Sequence, residues 1–131
     1  MGEPKRWRII ATPEADAWLR SLSPKQISRV AESLDLLHEV GPTLGRRHVD
    51  RIKGSRMHNM KELRPTGGHL RLLFVFDRKG HARMLLGGDK AGRWDSWYPR
   101  NIPRAEKLFR QYEHNPGAMI QWRPRTPEAG R

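Results

Sequence analysis

The chain predicts an α+β fold with an N-terminal strand, a helical hairpin, an antiparallel three-stranded meander and a C-terminal helix. Three observations carry this. Two helix-start dipeptides, Thr12-Pro13 and Ser23-Pro24, each precede apolar residues at helical spacing. Three segments over 57–64, 69–76 and 81–88 alternate as strands do, and the turn-forming clusters PTGG and DRKG separate them. After Pro103 the apolar residues Ala105, Leu108, Phe109 and Tyr112 return to helical spacing.

Taken in order, Arg6 to Ala11 places Trp7 and Ile9 on one side and Arg8 and Ile10 on the other, which predicts a strand. Thr12 is placed to cap free backbone N–H groups, Pro13 suits the first helical position, and Glu14 and Asp16 complement the positive end of the helix dipole. Ala15, Trp18, Leu19 and Leu22 mark the buried stripe of that helix. Ile27, Val30, Ala31, Leu34 and Leu37 mark the stripe of the next, which Gly41-Pro42 ends. Residues 41–56 hold three glycines, a proline and five basic residues without periodicity and read as an exposed loop of functional length.

In the central strand Leu70, Leu72, Phe74 and Phe76 share one face, and Arg71, Leu73 and Val75 the other. Trp7, Trp18, Leu34, Leu72 and Phe74 are expected to build a core between the helical hairpin and one sheet face, leaving the other face basic. The segment DKAGRWDSWYPRN after Gly87-Gly88 reads as a charged, aromatic loop. Residues 1–115 are expected to form one domain, and 116–131, rich in Pro and Arg, a flexible tail. A length of 131 residues suits one compact domain.

The formal charge is +12, with a pI near 11.2. The excess is concentrated: Gly41 to Arg104 holds 15 Lys or Arg against 5 Asp or Glu, whereas residues 14–40 hold three against five. A folded basic surface of this kind is best offset by a phosphorylated polymer, so nucleic acid is the expected partner. The absence of cysteine excludes disulfides, thiolate metal sites and thiol nucleophiles. The six histidines show no metal-binding spacing, so neither a metal nor another cofactor is expected. No apolar run reaches about 18 residues and the N-terminus lacks a signal-peptide core, which predicts a cytoplasmic protein without a membrane contact.

Arg64, Arg71, Lys90, Arg93 and Tyr98 stand at strand ends and in the loop after the last strand, which converge on one side of such a sheet. Guanidinium forks match phosphate oxygens and stabilise the extra negative charge of a pentacovalent phosphorane. RNA carries its own nucleophile, the 2′-hydroxyl, so cleavage needs a proton acceptor, a proton donor and cations, and no metal. The competing reading makes these arginines solvated residues or partners of Asp77, Asp89 and Asp95. Trp94 and Trp97 are core plugs or base-stacking platforms. Tyr98 acts as acid or base if neighbouring guanidinium groups lower its pKa. His58 and His69 are further candidate bases or plain polar surface.

The segments RIKGSRMHNMKELR, GGHLRLLFVFD and LLGGDKAGRWDSWY, followed by a C-terminal helix, resemble the RelE/HigB family of toxins from bacterial type II toxin-antitoxin systems, within the RelE/ParE superfamily. The likeness covers residues from about 6 to 114. It implies a small RelE-like fold and a metal-independent endoribonuclease, an mRNA interferase, that enters the ribosomal A site, cuts mRNA and leaves a 2′,3′-cyclic phosphate. It also implies a cognate antitoxin, commonly a helix-turn-helix protein, that holds the toxin inactive. Arg71 then corresponds to the family's phosphate-contacting arginine, Arg93 or Lys90 to its transition-state arginine, and Tyr98 to its tyrosine. Lys53, Arg56, Lys61, Arg64 and Lys90 become RNA-binding residues. Where the ribonuclease best known for this fold presents two lysines, this chain has Met60 and Glu62, and Lys61 has the opposite parity. Glu62, His58 or Tyr98 is left as the base. Other members poison DNA gyrase instead, and a non-catalytic RNA-binding domain is a third reading.

Overall fold

A computed structural model describes residues 6–57 and 59–123. The elements run β1 (Arg8–Ala11), α1 (Pro13–Ser21), α2 (Pro24–Val40), β2 (Val49–Arg51), β3 (Lys61–Leu63), β4 (Leu70–Phe76), β5 (His81–Asp89), α3 (Trp94–Tyr112) and β6 (Ile120–Trp122). The strands form one six-stranded sheet in the order β2-β3-β4-β5-β1-β6. β3, β4 and β5 make the expected antiparallel meander, and β1 joins β5 in parallel register.

Local chemistry explains both helix starts. Thr12 accepts a hydrogen bond from the Ala15 N–H at 3.0 Å and donates one to the Leu85 carbonyl at 2.7 Å, so one buried hydroxyl caps α1 and ties it to the sheet. Ser23 and Gln26 form a capping box at α2, and Pro24 occupies its first turn. Gly41 closes α2 at φ 67°, where an added Cβ would lie 2.3 Å from the Trp7 ring.

The sheet is covered on both faces. Ile9, Leu63, Leu70, Leu72, Phe74 and Met84 pack with Val30, Leu34 and Leu37 of α2 and with Trp18 of α1. Trp7 meets Phe76 edge-on at 4.9 Å, which completes the expected first core. On the opposite face Met60, Leu73, Val75, Leu85 and Leu86 pack against Trp97, Ile102, Ala105 and Leu108 of α3. The register shift between β4 and β5 at Leu73/Phe74 turns both Leu85 and Leu86 to that face.

Four expectations are corrected. The second sheet face is a second core rather than a basic surface, because α3 buries an apolar stripe on it. α3 begins at Trp94, not after Pro103, and carries Pro99 and Pro103 inside it. Packing of Trp97 and Ile102 on the sheet outweighs the two missing backbone donors, and the Asn101 side chain donates to the Trp97 carbonyl at 2.8 Å. The 41–56 loop contains β2, which pairs with β3. Finally, the expected flexible tail includes β6, whose Ile120–Trp122 pair with Ala11–Ile9 and cover the edge of β1. The rest of that tail, 124–131, lies outside the described residues. Among the described residues no helix is long and apolar enough to cross a membrane.

Candidate functional site

Strand parity sets the site. β3 turns Leu63 toward α2 and Glu62 toward α3, where Glu62 stands across from Leu73 in register. Arg71 lies two residues before Leu73 on the same face and pairs with Gly88 of β5. A Cβ at Gly88 would come 2.8 Å from Trp97 Nε1, so the bare glycine lets the Trp97 indole lie against the strand beside Arg71. Lys90 follows β5 with its N–H bonded to the His69 carbonyl at 3.0 Å. Tyr98 arrives from the start of α3, edge-on to Trp97 at 5.0 Å.

These side chains meet at Glu62, which is 3% exposed. The Tyr98 hydroxyl donates to Glu62 Oε1 at 2.6 Å, and Arg64 Nε donates to Oε2 at 3.0 Å. Arg64 also pairs with Asp50 at 3.1 Å. Lys90 Nζ donates to the Tyr98 hydroxyl at 3.3 Å and lies 5.2 Å from that ring's centroid. Arg71 Nε is 3.8 Å from Glu62 Oε1, too far for a hydrogen bond, and is a buried donor without a partner among the described residues. Among the described residues Arg64, Arg71 and Lys90 thus stand around the carboxylates of Glu62 and Asp50, a local excess of positive charge.

That crowding is visible in the ionisation of the cluster. Burial lowers the Lys90 pKa, the charges of Arg71 and Arg64 lower it further, and Glu62 only partly counters them. Burial pushes Tyr98 up to about 12, helped by its hydrogen bond to Glu62 and opposed by Arg71. The expectation that guanidinium groups lower the Tyr98 pKa is therefore corrected: burial and the Glu62 carboxylate outweigh Arg71, and the phenol keeps its proton at neutral pH.

The remaining candidates divide. Lys53 and Arg56 line a groove of about 540 Å³ beside Tyr98 and α3. Lys61 faces away from the Glu62 cluster and lines a shallow hollow with Arg46, Asp50 and Arg51. Arg93 is exposed just before α3, its carbonyl accepting the N–H groups of Ser96 and Trp97, and none of the cluster's hydrogen bonds or ion pairs runs to its side chain. Trp97 is a core plug. His69 lines a separate groove near the start of α2. His58 and the Trp94 side chain lie outside what the structure describes. Sequence reasoning missed Asp50, the second carboxylate on Arg64. Three residues, VDR, are too short a strand to show a period, and the surrounding Gly and Pro make the segment look irregular.

Comparison with known proteins gives this chain a family. A family model described as "Phage derived protein Gp49-like (DUF891)" matches residues 17–110. A protein of Mycobacterium tuberculosis (strain ATCC 25618 / H37Rv) named "Putative toxin HigB3" is 45% identical over 112 residues, covering 83% of this chain and 98% of that protein. "Putative toxin HigB2" of the same organism is 42% identical over 99 residues, covering 73% of this chain and 49% of that protein, so the match spans about half of that relative. The fold is similar to that in the crystal structure of an archaeal RelE-RelB complex from Pyrococcus horikoshii OT3, with a TM-score of 0.54 and 20% identity over 67% of this chain and 98% of that one. The chain belongs to the Gp49-like family and is a RelE/HigB-type toxin of a toxin-antitoxin system.

Proposed function

We propose that the chain is a metal-independent endoribonuclease that cuts mRNA on the translating ribosome, in the cytoplasm, and that a cognate helix-turn-helix antitoxin holds it inactive. The observation that carries this reading is the convergence of Arg64, Arg71, Lys90 and Tyr98 on Glu62 with cations in excess. A phosphodiester supplies the missing negative charge and the acceptor that Arg71 Nε lacks.

In this reading Arg64 and Arg71 grip the scissile phosphate and stabilise the phosphorane. The Glu62 carboxylate takes the 2′-hydroxyl proton. The O2′–P bond forms as the P–O5′ bond breaks, and the 5′-oxygen takes its proton from Lys90, whose lowered pKa makes it a better donor than an ordinary lysine. Tyr98, protonated throughout, holds Glu62 in place and donates a hydrogen bond. Arg93, exposed at the rim, reaches the RNA from outside, with Lys53 and Arg56 on the approach. The product is a 2′,3′-cyclic phosphate.

Primer extension on mRNA bound to purified ribosomes tests this. New ends within A-site codons are expected with the native chain and not with Arg71→Ala. Absence of such ends, together with loss of supercoiling in a gyrase assay, overturns the reading in favour of a gyrase poison.

A further inference from the structure

We infer that the groove between α3 and the loop 53–56 is a subsite for the nucleotide next to the scissile linkage of single-stranded RNA, with Arg110 as its outer phosphate contact. This deepens the nuclease reading and rests on it for the position of the scissile phosphate.

The groove measures about 540 Å³, within the range of about 300–1,000 Å³ typical of small-ligand sites. Its cations are Lys53, Arg56 and Arg110, all exposed and drawn from two separate stretches of chain. Glu106, the acidic residue of its lining, is buried and engaged: one of its oxygens accepts from Ser55 Oγ at 2.8 Å and from the Arg56 N–H at 2.7 Å. The carboxylate therefore fastens the loop to α3 and leaves the positive charges to face a ligand.

Pro99 and Pro103 line the groove on the α3 side. Each proline within a helix takes away the backbone donor for the carbonyl four residues earlier, here those of Asp95 and Pro99. The Tyr98 ring offers a stacking surface to an unpaired base, and the puckered rings of Pro99 and Pro103 offer apolar contact beside it. Continuity favours RNA over an acidic peptide, because Tyr98 both lines the groove and bonds Glu62, so a strand held at the cluster leads into the groove.

The test is fluorescence anisotropy of the full chain with a short fluorescein-labelled RNA carrying 2′-O-methyl groups throughout, which is bound without being cut. Arg110→Ala is expected to weaken binding about three- to tenfold and to lower the salt slope by about 0.7, the loss of one phosphate contact on a single strand. Arg20→Ala, on exposed α1 and paired with Asp16, is expected to bind as the native chain does. Native affinity and slope in Arg110→Ala overturn the subsite, as do equal losses in both variants. If Arg110→Ala binds RNA normally but loses affinity for poly-glutamate, the groove is a peptide site and the inference falls. Ribosomal cleavage assayed in parallel separates the two readings. Selective loss of RNA affinity in a chain that cuts nothing keeps the subsite and removes the nuclease, whereas native cleavage with unaltered Arg110→Ala binding does the reverse.

Discussion

Two charged clusters lie on the α3 face of the same sheet, and they are built on opposite principles. At one end Asp77 is saturated. It accepts the N–H groups of Lys79 and His81, the His81 ring at 2.8 Å and Arg83 Nε at 2.8 Å. Burial pushes its carboxyl up, but those hydrogen bonds outweigh burial and hold it at about 2. Arg83, 6% exposed, also donates from Nη1 to the Tyr112 and Glu113 carbonyls at the end of α3, where a cation complements the helix dipole. At the other end Glu62 is outnumbered, Arg71 Nε lacks a partner, a lysine is pushed toward neutrality and a tyrosine is kept protonated. The first cluster is closed and structural, and the second leaves a donor unmatched, which in the proposed reading an anion satisfies. Composition alone does not separate them, since both combine carboxylate with arginine, but the number of partners each charge has does.

That contrast is open to attack by mutation. The largest effect is expected at the open end. In the proposed reading Arg71→Ala removes a transition-state contact and should cut the rate of RNA cleavage by about 10²–10³, measured by single-turnover assay on ribosome-bound mRNA. Because it also relieves crowding among cations, its denaturant midpoint should stay close to native. Asp77→Ala inverts the pattern. Stranding buried Arg83 should cost about 3 kcal/mol in urea unfolding, while cleavage per folded molecule is unchanged. Tyr98→Phe is smaller, about a tenfold loss of cleavage for one hydrogen bond to a charged group, with binding of uncut RNA retained.

The pH dependence sharpens the same point. The Asp77 carboxyl sits at about 2 in the folded chain against 3.8 when free, so the folded state holds its proton less tightly than the unfolded one. Its contribution is complete above pH 3.8 and is lost as pH falls toward 2. Asp77→Asn should flatten that part of an acid-unfolding curve, and Glu62→Gln should leave it in place.

Much of this architecture was legible in the sequence for local reasons. Thr12-Pro13 and Ser23-Pro24 carry their own capping chemistry, and the alternation of β4 placed Arg71 on the face opposite Leu70, Leu72 and Phe74. The parity that separates Glu62 from Lys61 was equally readable, and the structure sets Lys61 on the far side of β3. What was hidden depends on contacts distant in sequence. Pro99 and Pro103 mark a helix break locally, yet α3 runs through both because its apolar stripe covers the second sheet face. β6 reads as tail until the open edge of β1 is there to pair with it. The Tyr98 ionisation depends first on burial under the fold and then on whether a carboxylate or a guanidinium lies nearer, which spacing along the chain does not encode.

The measurement closest to the central contrast is side-chain NMR of the arginine Nε–Hε groups during titration with uncut, 2′-O-methylated RNA. The Arg71 signal should move as its unpartnered donor acquires a phosphate oxygen, while the Arg83 signal, already bound to Asp77, stays where it is. A stationary Arg71 signal at saturating RNA, or a shift at Arg83 in its place, contradicts the account.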